Sequence, residues 1–146
     1  MSVKSWQYVC EQMEKVGQLG WWEMDWKTRE VFWSRGFHEI LGTDPDQFKP
    51  VFKIGLSFLT QESCDKFENL IAAAELNQNI DGDYEIFTVP IKGVKKTLLF
   101  SIRSERLNDE ISKIFGTLRD ITHEANQRES LKKSNQELRI KMKDLT

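Results

Sequence analysis

Between residues 81 and 121 the chain alternates apolar and polar side chains in three runs parted by two-residue turn signals, a pattern that restricts it to an antiparallel sheet with one dry face. Asp81–Gly82 opens the segment as a turn. From Tyr84 to Ile91 the alternation puts Phe87, Val89 and Ile91 on one face, and Lys92–Gly93 turns the chain back. From Thr97 to Leu107 it puts Leu98, Phe100 and Ile102 on one face. Asn108–Asp109 is the next turn, and Ile111 to Ile121 is the last strand.

A second alternating region lies near the start. Leu19 to Trp26 places Trp22, Met24 and Trp26 on one side and Glu23 and Asp25 on the other. Lys27–Thr28–Arg29 is a polar turn, and Glu30 to Trp33 closes a hairpin. The stretch between the two β regions reads as helical. Ser34 is an N-cap for a helix through Leu41, with Phe37, Ile40 and Leu41 on its apolar face and Gly42 at its end. Asp44–Pro45–Asp46 is expected to start another short helix, with proline in its first turn. Residues 49–59 are apolar without a clear period. Thr60 then opens a longer helix to about Gln78, whose apolar face is Cys64, Phe67, Ile71 and Ala74, with Leu70 beside it. Strand, strand, helices and three more strands make an α+β arrangement: a five-stranded antiparallel sheet with helices gathered on one face.

The two ends have a different character. Val3, Trp6, Val9, Cys10, Met13 and Val16 follow a helical face that Gly17 and Gly20 interrupt. After Thr122 the chain holds no glycine, proline, phenylalanine, tyrosine or tryptophan, and Leu131, Leu138 and Leu145 repeat every seven residues. Three residues before each come Arg128, Asn135 and Met142, and Asn135 stands where a buried polar side chain sets the register of a paired coil. Such a helix either packs back on its own domain or pairs with a second copy, and leucines isolated in a charged background favour pairing. The expected division is an amphipathic helix over 1–16, a domain over 17–122 and a signalling helix over 123–146.

A chain of 146 residues holds one core of ordinary size. Its net charge of -2 offers no basic footprint for nucleic acid or an anionic membrane. No apolar run approaches the length of a membrane span, and charged residues interrupt the opening stretch where a signal peptide would lie. Cys10 and Cys64 do not make a disulfide framework, so a cytoplasmic setting is expected. No phosphate-cradling glycine loop, no Cys-x-x-Cys, no His-Glu-x-x-His and no Gly-x-Ser-x-Gly is present, and the acidic pairs Asp44/Asp46 and Asp81/Asp83 sit in turns. No catalytic residue and no metal ligand is assigned.

Two segments resemble the PAS family. Gly20–Trp21–Trp22–Glu23–Met24–Asp25, a polar turn, Val31–Phe32–Trp33–Ser34 and then Ile40–Leu41–Gly42 look like its bacterial opening, G-x-W-x-x-D, turn, W-S, helix, L-G. Phe115–Gly116–Thr117–Leu118–Arg119–Asp120–Ile121–Thr122 is similar to its G-x-x-x-D-I-T ending, which joins the last strand to an output helix. The His-Pro-x-Asp segment common in the family before the long helix is replaced by Phe58–Leu59–Thr60–Gln61–Glu62. The resemblance covers about residues 17–122 and implies a sheet order of 2-1-5-4-3 and a sensing or dimerising role. It also implies the layout of sensor histidine kinases and diguanylate cyclases, in which this segment is part of a longer protein and feeds an output domain of the same chain.

The resemblance further implies a small-molecule cavity between the sheet and the long helix. Its candidate lining includes Trp22, Trp33, Phe37 and Phe67, with Ile71, Phe87, Phe100 and Ile102 completing it. Most of these also serve as ordinary core. Haem is not expected, because the helix over 60–78 has no histidine; His38 reads as an edge residue and His123 as solvated. Covalent flavin is not expected either, since Glu62–Ser63–Cys64–Asp65–Lys66 lacks the Asn-Cys-Arg-Phe-Leu-Gln pattern. A small organic ligand, or none, remains. Asp120, Ile121 and Thr122 form the expected signal-transmitting junction, with Thr122 as helix cap, and a homodimer paired through Leu131, Asn135, Leu138, Met142 and Leu145 is the expected assembly.

Overall fold

The computed structural model describes residues 2–145; positions 1 and 146, at the outer ends of the two expected helical segments, lie outside the described residues. The elements in chain order are α1 (Val3–Gly17), β1 (Leu19–Asp25), β2 (Val31–Trp33), α2 (Arg35–Leu41), α3 (Phe52–Leu56), α4 (Gln61–Glu75), β3 (Gly82–Phe87), β4 (Thr97–Leu107), β5 (Glu110–Asp120) and α5 (Thr122–Asp144). The five strands form one antiparallel sheet in the order β2-β1-β5-β4-β3.

Turn chemistry explains the hairpins. Asp25 accepts the backbone N–H groups of Thr28 (2.9 Å) and Lys27 (3.0 Å), folding the β1–β2 turn around its own carboxylate. The Thr28 N–H is the main reason that carboxyl is held below its ordinary range. Asn108 and Asp109 both take positive φ, 53° and 65°, as a two-residue turn between β4 and β5 requires. A bulge at Glu105/Arg106 makes Ser112 an extra residue of β5, and so both Ile111 and Ile114 face inward although three positions apart.

The dry face carries the core: Trp22 and Met24 from β1, Leu98, Phe100 and Ile102 from β4, and Ile114 and Leu118 from β5, all buried. The helices cover it and are tied to it by side chains. Ser34 caps α2 by accepting the N–H of Phe37 and also accepts that of Trp21 at 2.9 Å. The buried Ser63 of α4 accepts the N–H of Phe87 at 2.9 Å. On α1, buried Glu14 accepts the N–H of Gly36 at 3.1 Å through Oε2.

Two local expectations need correction, and one open stretch is settled. Asp44–Pro45–Asp46 starts no helix: Gln47 and Phe48 donate back to the Asp44 carbonyl, and the chain leaves as a turn. The unpatterned stretch 49–59 contains the short helix α3, with no buried residue. Phe87 is on the wet face at 39% exposure, while Ile86 and Thr88 point inward. Phe87, Val89 and Ile91 do not share one face: Val89 is exposed too, because regular pairing stops at Phe87 and the chain bends at Val89 before Ile91 is buried.

Candidate functional site

The inner face of the sheet and the helices above it line a partly open apolar chamber of about 70 Å³. Its floor is built by Trp22, Met24, Leu98, Phe100, Ile114 and Leu118, and Ile86 and Trp33 stand at its edges. Phe37 and Leu41 of α2, Phe67 of α4, and Phe52, Gly55 and Leu56 of α3 form the roof. Gly55 allows α3 to lie close: a Cβ there would stand 3.2 Å from the Trp33 ring.

The aromatic lining is ordered by stacking. Trp22 lies nearly parallel to Phe100, with centroids 4.9 Å apart and planes at 13°. Phe67 meets Phe100 edge-on at 5.1 Å, and Phe52 lies 5.6 Å from Phe67. Trp33 stacks on Phe37 at 4.6 Å and on Phe48 at 5.4 Å. The indole Nε1–H of Trp22 is buried and has no hydrogen-bond partner.

Of the eight sequence candidates, Trp22, Trp33, Phe37, Phe67 and Phe100 line this chamber. Ile102 is fully buried further along β4, outside the lining, and Ile71 packs half-buried against the core. Phe87, on the opposite side of β3, faces solvent. The parts of the site that sequence reasoning misses are α3, which has no period to reveal it, and the inward side chains of β5.

A second set of contacts joins the chamber wall to the last helix. Asp120, at the end of β5, accepts the backbone N–H of Thr122 (3.0 Å) and its hydroxyl (2.5 Å) through Oδ1. Thr122 does not cap α5: the N-cap position is Ile121, which makes no side-chain cap bond, and the first N–H of the helix is met by Asp120 one residue earlier, while the Thr122 hydroxyl also accepts the N–H of Thr97 on β4 at 3.1 Å. Lys96 Nζ lies 3.7 Å from Asp120 Oδ2 and donates to the carbonyl of Ile40 at 2.6 Å. Ile40 belongs to α2, between Phe37 and Leu41 in the chamber roof. Ile121 is buried, and every residue from Asn126 through the end of α5 to its C-cap Leu145 is exposed, including Leu131, Asn135, Leu138 and Met142.

His38 is not at an edge: it is buried, with Nδ1 2.8 Å from the Thr43 hydroxyl and its ring edge-on to Trp33. Burial pushes its pKa below 6.5, only partly offset by Asp44. A depressed folded-state pKa makes the contribution full above 6.5 and lost as pH falls through the folded value, because the unfolded chain takes up the proton first. His38→Asn should therefore flatten the acid limb of a stability–pH curve measured by urea denaturation; an unchanged limb would assign the acid sensitivity elsewhere. Cys64 donates its thiol to the Leu56 carbonyl at 3.1 Å, and burial, with Glu68 and Asp65 nearby, pushes the thiol up, away from a reactive thiolate. No helix among the described residues is long and apolar enough to cross a membrane.

No family model matches this chain, and no curated protein matches it. Solved structures do. A sensory box histidine kinase/response regulator from Burkholderia thailandensis E264 superposes with a TM-score of 0.66 at 17% identity, over 89% of this chain and 97% of that one. The N-terminal domain of a diguanylate cyclase with PAS/PAC sensor from Marinobacter aquaeolei gives 0.62 at 15% identity, over 73% and 98%. The PAS domain of the fruit-fly ELK potassium channel gives 0.58 at 12% identity, over 84% and 100%.

Proposed function

We propose, from the premise that this chain has the PAS fold, that it is a sensory and regulatory domain without catalytic activity of its own. A small molecule in the chamber shifts the balance between two packings of roof and sheet, by no more than its differential affinity for them. The shift reaches an output domain of the same polypeptide through Asp120, Ile121, Thr122 and the helix α5. The output favoured is a histidine kinase, as in the Burkholderia thailandensis relative, with a diguanylate cyclase, as in the Marinobacter aquaeolei relative, as the other choice. The setting is the cytoplasm, the assembly a homodimer, and neither nucleic acid nor membrane is a partner of this segment.

The observation that carries this reading is the continuous chain of contacts from Phe37 and Leu41, through the Ile40 carbonyl, Lys96 and Asp120, to the first turn of α5. The last helix then runs about 35 Å at the usual rise per residue. It projects Leu131, Leu138 and Leu145 with no cover from its own domain, and pairing them with a second copy would bury them.

A second reading is a dimerisation module with an empty chamber. It is favoured by the exposure of Val3, Trp6, Met13 and Val16 along α1, a second apolar face free to meet another copy. Native mass spectrometry with sedimentation separates the two. Regulation by a ligand is expected to show a bound small molecule on a dimer; a tight dimer that stays empty under exhaustive ligand screening would establish the second reading instead.

A further inference from the structure

Helix α1 docks on its domain through a polar shoulder and leaves its apolar stripe bare. Val3, Trp6, Val9, Cys10, Met13 and Val16 follow one face at helical spacing. Val9 is half-buried and the others are exposed, with Val3 at 83%, Trp6 at 57%, Met13 at 64% and Val16 at 87%. Among the described residues of the helix, Glu14 alone is buried. Its carboxylate accepts the Gly36 N–H at 3.1 Å, and Gly36 lets α2 come close, since a Cβ there would stand 3.0 Å from that of Glu14. At 3.6 residues per turn Glu14 lies about 80° round the helix from Trp6, so seating it against α2 turns the stripe away from the domain.

A bare stripe of this kind marks a surface that something covers. A lipid surface is a poor match. The helix carries Lys4 and Lys15 against Glu11 and Glu14, no net charge, whereas interfacial helices are rich in lysine and arginine. A second copy meets no such obstacle. No charged residue interrupts the stripe, and Ser5 and Gln12 border it on the side away from Glu14, so two stripes come together without like-charge contact.

The place of α1 in the fold points to the same partner. The carbonyl of its C-cap residue, Gln18, accepts the Asp120 N–H at 3.0 Å, so α1 and α5 leave the sheet at one corner. A two-fold axis that pairs the bare leucines of α5 passes within reach of the end of α1. Val3 to Val16 cover about 20 Å of helix, and one such face falls short of the roughly 800 Å² per copy that a standard interface buries. The faces of α1 and α5 together make a larger surface.

We infer, resting on the homodimer of the reading above, that the stripe of α1 lies against the same stripe of a second copy, across the two-fold axis that pairs α5. In such a contact a patch meets itself, so the middle of the stripe faces its own copy. Val9 and Cys10 stand midway between Val3 and Val16, which makes Cys10 a reporter of the contact.

The test uses the whole chain in solution. Sedimentation velocity gives the dimer fraction, and copper phenanthroline then oxidises adjacent thiols. A disulfide needs Cα atoms within about 7 Å, so its formation reports direct contact. The unsubstituted chain should give a covalent dimer in proportion to the dimer fraction, and Cys10→Ser should give none. Cys64 should not substitute for it, being half-buried with its thiol donated to the Leu56 carbonyl. Trp6→Glu and Met13→Glu should each raise the dimer dissociation constant by about tenfold or more. Their circular dichroism should stay unchanged, because both side chains are exposed on their own domain. Lys4→Gln, on the far side of the helix, should hold the constant within about twofold. A dimer undiminished in Trp6→Glu and Met13→Glu, with no Cys10 disulfide, overturns the inference and leaves a homodimer paired through α5, which Leu138→Glu would then dissociate. Loss of the dimer in Trp6→Glu without a Cys10 disulfide in the unsubstituted chain overturns the self-pairing and sets the stripe against another surface of the second copy. A monomer that sediments with phosphatidylglycerol vesicles, and ceases to in Trp6→Glu, assigns the stripe to lipid. A chain that is monomeric at every concentration and binds no vesicle removes the homodimer itself, and the inference with it.

Discussion

Gly20→Ala should lower the melting temperature of the domain by on the order of 10 °C, and Gly20→Val should prevent stable folding altogether. A Cβ at Gly20 would stand 2.1 Å from the backbone nitrogen of Phe37 and 2.5 Å from its Cα. The obstacle is backbone, so no rotamer change relieves it, and α2 would have to leave β1. Overpacking costs about 1–3 kcal/mol where side chains can adjust. Here they cannot, and at roughly 3 °C per kcal/mol for a domain of this length the loss reaches that size. Gly93→Ala is the informative control: a Cβ there meets nothing within 4 Å, and its penalty comes only from φ of 83°. It should cost about 1 kcal/mol and shift melting by only a few degrees. Thermal denaturation followed by circular dichroism reads both. Melting of Gly20→Ala within 2 °C of the unsubstituted chain would show that α2 does not press on β1.

The same glycine shows how much of the fold is legible in the residues alone. Gly20 and Gly116 stand out in the two segments with PAS character, and each is a place where two backbones touch: a Cβ at Gly116 would lie 1.9 Å from the Ser101 carbonyl. The strands β4 and β5 are readable because alternation and paired turn residues both mark them. Their neighbours in the sheet are not readable from pattern, since alternation says which face a side chain takes and nothing about which strand lies beside it; that order comes from the resemblance. Alternation misplaces β3 by one position because an aromatic residue, Phe87, occupies the wet face while a threonine, Thr88, goes inward and satisfies its hydroxyl on the Lys96 N–H. The helix α3 is hard to read because five residues make little more than one turn, and its chamber-facing positions Phe52, Gly55 and Leu56 include a glycine and sit among other apolar residues that blur the period. The chamber is half readable. Residues that line a space and residues that fill one are chemically alike, so Phe100 and Ile102, two apart on one face of β4, cannot be told apart by type as wall and packing.

On the proposed coupling to an output domain, Asp120→Ala should abolish the stimulus dependence of that output, while leaving the chamber able to bind. Two effects combine. Loss of the carboxylate leaves the Thr122 N–H, the first of α5, without its acceptor, and the Thr122 hydroxyl with only the long bond to the Thr97 carbonyl at 3.5 Å. Losing that acceptor costs about 1 kcal/mol, so amide exchange in that turn should quicken by roughly fivefold. The substitution also releases Lys96, whose ammonium otherwise links the Ile40 carbonyl of the chamber roof to the junction. Coupling between two sites is worth about 1–3 kcal/mol, roughly a 5- to 150-fold change in affinity, and removing the shared contact should bring the ratio of stimulated to resting output close to one. Lys96→Met separates the two effects. It keeps the Asp120 acceptor and normal exchange at the start of α5, but should lose the coupling. Asp120→Asn keeps an acceptor for the Thr122 N–H and loses the charge facing Lys96, so it should fall between them. Small-molecule binding in the chamber, measured by the methyl signals of Leu98, Ile114 and Leu118, should stay within about twofold in all three, because none of the substituted side chains lines it. If Asp120→Ala retains the full regulatory range while exchange in the first turn of α5 rises, the junction holds the helix end and nothing more, and the signal leaves the sheet by another route.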